Sequence, residues 1–164
     1  MTPAYTYEEL AHEAHHAGVA ISLRMGKRSF NQQRRAYEAW LAKYIPLAEA
    51  QGLPHEALGM RRVAAEYLLT EAAEARRPAR AFEPLVRHLE TLGWRSLEQK
   101  ALSIGAMCAY FAERMWKREG LRYLLPVKRE LEQEYARTGD EIWRNYQRHL
   151  ARIERRLRAR KRPF

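Results

Sequence analysis

The chain has 164 residues, of which 46% are hydrophobic and 30% are charged, a composition typical of a folded protein rather than a disordered one. Its formal net charge of +10 indicates a polyanionic partner: nucleic acid first, an acidic membrane surface second and an acidic protein third. The longest nearly apolar run, residues 101–112, is too short to span a bilayer. A single cysteine, Cys108, excludes an internal disulfide. We therefore expect a cytoplasmic protein with no signal peptide and no membrane partner.

Apolar residues recur at helical spacing along the whole chain, and no segment shows the alternation of a strand. The predicted helices cover residues 6–25, 29–51, 54–76, 79–92, 96–118, 126–137 and 140–164. The predicted capping boxes are Thr6 with Glu9, Ser29 with Gln32, and Ser96 with Gln99. The glycines expected to end helices are Gly26, Gly52, Gly93, Gly120 and Gly139. Pro126 is expected to begin the sixth helix.

These helices predict an all-α fold: one single-domain helical bundle of about six or seven helices over residues 1–164. The fifth helix is apolar nearly all round, so we expect it at the centre of the bundle, with Cys108 as a core residue. The basic C-terminal segment, residues 139–164, either packs on this bundle or projects from it.

The C-terminal segment is one amphipathic helix with Asp140 as its N-cap. Its apolar stripe consists of Trp143, Tyr146, Leu150, Ile153 and Leu157. A neighbouring basic stripe consists of Arg144, Arg148, Arg152 and Arg155, thickened toward the end by Arg156, Arg158, Arg160, Lys161 and Arg162. Over residues 141–164, nine cations stand against Glu141 and Glu154, so this segment carries +7 of the formal charge.

Arginines three and four residues apart on a helix form a line of charge that can follow a phosphate backbone. A second basic stretch surrounds the first helix break and contains Arg24, Lys27, Arg28, Arg34 and Arg35. We predict that both stretches bind nucleic acid through its phosphates. RNA or single-stranded DNA is favoured, because no helix-turn-helix with a clear recognition helix is evident. Such a protein would act without a cofactor, either alone or as a subunit of a larger nucleoprotein complex.

The segment His12-Glu13-Ala14-His15-His16 matches H-E-x-x-H and resembles the zinc metalloprotease motif over five residues. That resemblance implies His12 and His16 as zinc ligands and Glu13 as a general base. Only eleven residues precede His12, however, and no third ligand is evident. A polar helix face with surface histidines explains the same pattern without a metal. A metal-dependent enzyme that uses this segment is the alternative interpretation.

The segment Arg144-Asn145-Tyr146-Gln147-Arg148-His149 fits R-x4-H with asparagine after the arginine and resembles the signature of HEPN ribonucleases. Members of that family are small helical domains that act as dimers. The resemblance implies that Arg144 stabilises phosphate charge and that His149 transfers protons during RNA cleavage.

A third alternative is a protein–protein adaptor. In that case the apolar stripe would pack on a partner helix or on a second copy, and the charge would only keep the chain soluble.

Overall fold

The computed structural model describes residues 6–24 and 29–159, with the side chain of Tyr7 excepted. These residues form seven α-helices and one 3-10 turn, and no strand occurs among them, which confirms the all-α prediction. The helices are α1 (Tyr7–Ser22), α2 (Phe30–Ala50), α3 (Pro54–Glu74), α4 (Phe82–Leu92), α5 (Leu97–Glu113), α6 (Lys117–Thr138) and α7 (Glu141–Arg158). None of the described helices is long and apolar enough to cross a lipid bilayer.

Several helix ends follow directly from local side-chain chemistry. At the start of α1, Thr6 Oγ1 accepts from the Glu9 amide at 3.2 Å, and the Glu9 carboxylate accepts from the Thr6 amide at 2.9 Å. Ser29 and Gln32 make the same reciprocal pair at α2. Ser96 caps α5, but the Gln99 side chain donates to Ser103 instead of returning to the cap. The first two capping boxes are therefore confirmed, and the third is only half formed.

Two predicted boundaries are wrong. Gly120 does not end the fifth helix and Pro126 does not begin the sixth, because both lie inside α6. The chain turns earlier, at Met115, which adopts the left-handed region with φ 60°. The Trp116 amide donates to the carbonyl of Phe111 at 2.9 Å and closes this turn. A left-handed residue after a helix is usually glycine, so the sequence shows no end signal there.

The chain divides into two compact units. Unit 1 comprises Met1–Arg76 and Pro84–Gly93, and unit 2 comprises Arg77–Glu83 and Trp94–Phe164. The boundary between them crosses α4, whose first two residues belong to unit 2. The single-domain organisation expected from the sequence stays a prediction.

Unit 1 is built on aromatic side chains of α2. Trp40 is buried and donates its indole N–H to the carbonyl of Ala14 in α1 at 3.0 Å. Tyr37, also buried, stacks on Tyr67 of α3 with ring centroids 5.8 Å apart. The guanidinium of Arg62 in α3 donates twice to the carbonyl of Leu92, at 3.1 and 3.2 Å, and thereby holds the end of α4.

Unit 2 is a three-helix arrangement of α5, α6 and α7, in which each helix packs on the other two. Helices α5 and α6 run antiparallel: Lys100 pairs with Glu130 at 2.7 Å, and the buried Cys108 sulfur lies 3.3 Å from the carbonyl of Gly120. Helix α7 returns antiparallel to α6 after the turn at Gly139, which has a φ of 68°. The expectation that Cys108 is a core residue is confirmed.

Candidate functional site

The basic C-terminal helix is seated in unit 2 by its apolar stripe. Leu150, Ile153 and Leu157 are each at most 4% exposed. A methyl group added at Gly105 of α5 would lie 3.1 Å from Leu150 Cδ2, so the backbones of α5 and α7 approach closely at that glycine. Residues 141–158 therefore pack on the bundle through this stripe.

The side of α7 opposite this stripe carries a row of exposed arginines. At 100° per residue, they lie about 120° to 200° around the helix from Leu150, whereas Ile153 and Leu157 lie within about 60° of it. We call these residues the basic face: Arg144, Arg148, Arg152 and Arg155. Because the helix rises about 1.5 Å per residue, the basic face extends over roughly 16 Å.

Few carboxylates neutralise the basic face. Arg144 lies 3.5 Å from Glu141 and stacks over the Tyr135 ring at 4.9 Å. Arg148 donates to the amide oxygen of Asn145 at 3.3 Å. Within residues 6–24 and 29–159, Arg148, Arg152 and Arg155 have no carboxylate partner. These three cations are therefore available to an external anion.

The flanks of α7 are different, because their charges have carboxylate or ammonium partners within the chain. Glu154, 19% exposed, lies 2.6 Å from Lys128 of α6 and 3.0 Å from Arg158. The Lys128 ammonium, and after it Arg158, hold the pKa of the Glu154 carboxyl below its ordinary value despite the opposing effect of burial. Arg156 pairs with Glu113 of α5 at 3.7 Å. Arg156 and Arg158 thus form ion pairs within the chain. The sequence alone did not distinguish these two arginines from those of the basic face.

Net charge is distributed unequally between the two units. Unit 1 contains ten Lys and Arg residues and ten Asp and Glu residues, so its formal charge is zero. Unit 2 contains twenty basic and ten acidic residues, so it carries the entire +10. The formal positive charge of the chain therefore resides in the unit that contains α7.

One end of unit 2 brings a further basic segment level with the end of α7. We call residues 114–118 the tip; they comprise the turn after α5 and the first two residues of α6. Two contacts place the tip there: Leu157 packs directly against Gly120, and Arg156 pairs with Glu113. The tip and the C-terminal turn of α7 are consequently at the same end of the unit.

The tip combines cations with apolar surface. Arg114, Lys117 and Arg118 are exposed, and none has a carboxylate partner in the described part of the chain. Met115 is 56% exposed. Trp116 is half-buried, with its ring 5.5 Å from that of Phe111, and the Arg114 guanidinium lies 6.0 Å from its centroid. Sequence reasoning missed this group, although the density of cations around one tryptophan in RMWKR was a usable signal.

The second predicted basic stretch belongs to unit 1 and is only partly described. Arg24, Arg34 and Arg35 are exposed, and Arg34 pairs with Glu38 at 3.6 Å. Lys27 and Arg28 lie outside the described residues, as do the three last predicted cations, Arg160, Lys161 and Arg162. The two predicted stretches therefore reside in different units.

The histidine-rich segment forms the predicted helix face. The rings of His12 and His16 lie 4.3 Å apart on α1, and both side chains are exposed. Glu13 accepts from the hydroxyl of Tyr44 at 3.0 Å and pairs with Lys43 at 3.5 Å, so α2 holds this carboxylate. No group of three or more His, Cys, Asp or Glu residues suited to a metal ion occurs among the described residues.

The residues of the R-x4-H motif occupy different sides of α7. Arg144 is on the basic face, whereas His149 is exposed on the side of α5, where its Nε2 would lie 3.3 Å from a methyl group at Gly105. The spacing of five residues separates them by about 140° around the helix. One chain thus brings together the arginine and its Glu141 partner, not the arginine and the histidine.

Comparison with known proteins supplies no assignment. No protein-family model matches the sequence, and no curated protein or solved structure matches it significantly. Function must therefore be inferred from the residues themselves.

Proposed function

We propose that this protein binds nucleic acid through phosphate contacts made by the basic face of α7, with RNA or single-stranded DNA as the favoured ligand. The observation that carries the proposal is that Arg148, Arg152 and Arg155 are exposed, aligned and without carboxylate partners, in the unit that holds the whole net charge. Phosphate groups are the natural counterions for such a row, because guanidinium groups bind them bidentately.

The fixed position of α7 strengthens this proposal. Leu150, Ile153 and Leu157 of its apolar stripe are buried in the packing with α5 and α6, so the arginines are presented on a rigid backbone. A preorganised row of cations loses less conformational entropy on binding than a disordered basic tail does. In this proposal, Arg34 and Arg35 in unit 1 make a secondary contact with the nucleic acid. The proposal also assigns the protein to the cytoplasm.

The same packing bears on the adaptor alternative. Three of the five side chains of the stripe, Leu150, Ile153 and Leu157, are already buried inside unit 2, whereas Trp143 and Tyr146 are half-buried. An adaptor could therefore use only the Trp143 and Tyr146 end of the stripe, unless it used another surface.

The direct test removes charge from the basic face and keeps the fold. A variant with Arg148→Gln, Arg152→Gln and Arg155→Gln would be compared with the wild-type chain in binding assays over a salt series. The ligands would be a single-stranded RNA and a duplex DNA. Each lost phosphate contact lowers the slope of log affinity against log salt by about 0.7 for single strands, so we expect the slope to fall by about 2.

Deletion of α7 would be a poor substitute for this variant, because it would remove three core side chains as well as the cations. Circular dichroism of the substituted protein would verify that the helices persist. Equal affinity and equal slope for the two proteins would overturn the proposal. Cleavage of the RNA by the wild-type chain, abolished by His149→Ala, would instead favour the ribonuclease alternative.

A further inference from the structure

We infer that the tip, residues 114–118, contacts unpaired bases. The protein would then bind a single strand more tightly than the same strand without its bases. The inference rests on the proposed function and names the part of the ligand that this second surface recognises. Phosphate contacts from arginines are the same for any nucleic-acid backbone, whereas contact with the faces of unpaired bases needs apolar or aromatic surface that is open to the ligand.

The exposed side chain of Met115 provides such a surface. The backbone of Met115 adopts an unfavourable conformation. Its φ of 60° is a region that side chains other than glycine and asparagine rarely adopt. The turn needs only a left-handed residue: its two closing hydrogen bonds join backbone atoms, from the Met115 amide to Ala112 at 3.2 Å and from the Trp116 amide to Phe111 at 2.9 Å. Glycine would make the same turn at lower cost, so the methionine side chain is not needed for the turn itself.

The surroundings of Met115 specify the class of ligand. Three exposed cations without carboxylate partners, Arg114, Lys117 and Arg118, surround it in the sequence. An apolar protein partner would leave these charges unpaired, whereas a nucleic-acid strand satisfies both parts: phosphates meet the cations and a base meets the apolar side chain. Methionine is among the apolar side chains that insert between base steps when proteins bind the minor groove of duplex DNA, so its side chain suits contact with the faces of bases.

Trp116, the residue after Met115, anchors the turn on α5. Its half-buried ring packs edge-on against Tyr110 and Phe111, with centroids 5.9 and 5.5 Å away. The Arg114 guanidinium lies 5.5 Å from the Tyr110 ring and 6.0 Å from the Trp116 ring. This packing fixes the base of the turn, so Met115 is presented from a rigid support.

The test separates base contacts from phosphate contacts. The probes are a short single-stranded DNA and the same strand with abasic sites in place of its bases, which keeps the phosphates. The proteins are the wild-type chain, Met115→Gly and Met115→Asn, since glycine and asparagine both suit a left-handed position. We expect the wild type to bind the strand with bases roughly fivefold tighter than the abasic strand or more, since fivefold is the lower end of the contribution of one stacked base.

We expect both Met115 variants to lose most of this preference with an unchanged salt slope, since no charge is altered. Equal affinity of the wild type for the two strands would overturn the inference, and so would a preference that both variants retain. Failure of the proposed function looks different: neither strand would show salt-dependent binding to any of the proteins.

Discussion

Gly120 of α6 lies directly against Leu157 of α7: a methyl group at Gly120 would come within 2.8 Å of Leu157 Cδ1 and 3.2 Å of its Cγ. Real Cβ atoms essentially never lie within 3.0 Å of a neighbouring atom, so any larger residue at position 120 would have to displace the buried Leu157 side chain. Together with Gly105 on α5, this glycine allows the buried stripe of α7 to fit into unit 2. The position of the basic face therefore depends on two residues that carry no side chain.

Gly120→Ala should destabilise unit 2. The added methyl group forces the buried Leu157 side chain out of its position, and overpacking of this kind costs about 1–3 kcal/mol in the free energy of unfolding. Urea denaturation followed by circular dichroism would measure the loss.

The matched control is Gly59→Ala. Gly59 lies inside α3 with no atom near enough to meet a new methyl group, so alanine there should gain about 0.5–1 kcal/mol through its higher helix propensity. If Gly120→Ala proved as stable as Gly59→Ala, the close packing of α6 and α7 would be contradicted.

Most of the fold is predictable from the sequence because several helix ends are determined by capping side chains close to them in the sequence. Thr6, Ser29 and Asp140 cap helices where expected, since a side-chain oxygen three residues or fewer from an amide suffices to satisfy it. The error at Gly120 has a tertiary cause: the glycine is required by Leu157, and nothing nearby in the sequence announces that contact.

The two faces of α7 were also predictable. The stripe of α7 and the arginines opposite it follow from helical spacing alone. Which cations are neutralised does not follow from spacing, because it depends on other helices: Glu113 comes from α5 to Arg156, and Lys128 comes from α6 to Glu154. The tip was missed because its turn forms at Met115, which carries no turn signal.

Cys108 should be unreactive in the folded protein. The thiol is buried between α5 and α6, and burial raises its pKa to about 12, so the nucleophilic thiolate is scarce at pH 8. We expect alkylation by iodoacetamide to be at least about a hundredfold slower in buffer than in concentrated urea, where the thiol returns to an ordinary pKa near 8.5. Mass spectrometry over time would give both rates, and rapid labelling of the native chain would show that the core opens locally at α5.

Glu154 should make stability depend on pH in the acid range. Because Lys128 and Arg158 lower the pKa of this carboxyl in the folded state, its stabilisation is fully present above the ordinary value of 4.5. It is lost as the pH falls through the lowered folded-state pKa. At pH 7, Glu154→Gln should cost about 1–2 kcal/mol, since it leaves the partly buried Lys128 without its anion.

The difference between wild type and Glu154→Gln should therefore shrink as unfolding is measured at progressively lower pH. Glu132→Gln is the control on α6: it removes the same charge from an exposed side chain that has no ion pair among the described residues. A loss at Glu132 as large as that at Glu154 would indicate a general charge effect instead of this specific pair.

Single substitutions should rank the arginines by their contact with phosphate. Arg152→Gln and Arg155→Gln should each weaken binding to all sequences alike and reduce the salt slope by about 0.7 for a single strand. Arg35→Gln tests the stretch in unit 1, and a smaller change is expected because that unit carries no net charge. Arg61→Gln, paired with Glu49 outside both stretches, is the control for removing any cation. A slope change at Arg61 equal to that at Arg152 would mean that only total charge matters.

Met115→Gly should stabilise unit 2 while it weakens base recognition. The left-handed conformation costs an ordinary residue about 1–2 kcal/mol, and the larger entropy loss of glycine on folding leaves a net gain of about 0.5–1 kcal/mol. Gly139→Ala is the reciprocal control: its φ of 68° and open surroundings predict a loss of about 1 kcal/mol from backbone strain alone. Thermal denaturation of the wild type, Met115→Gly and Gly139→Ala measures the stability change of each variant.

A destabilised Met115→Gly would mean that the methionine side chain contributes packing that outweighs the strain of its backbone. A stabilised variant that also loses its preference for bases would show that the chain retains strain at the tip because the ligand contact requires that side chain.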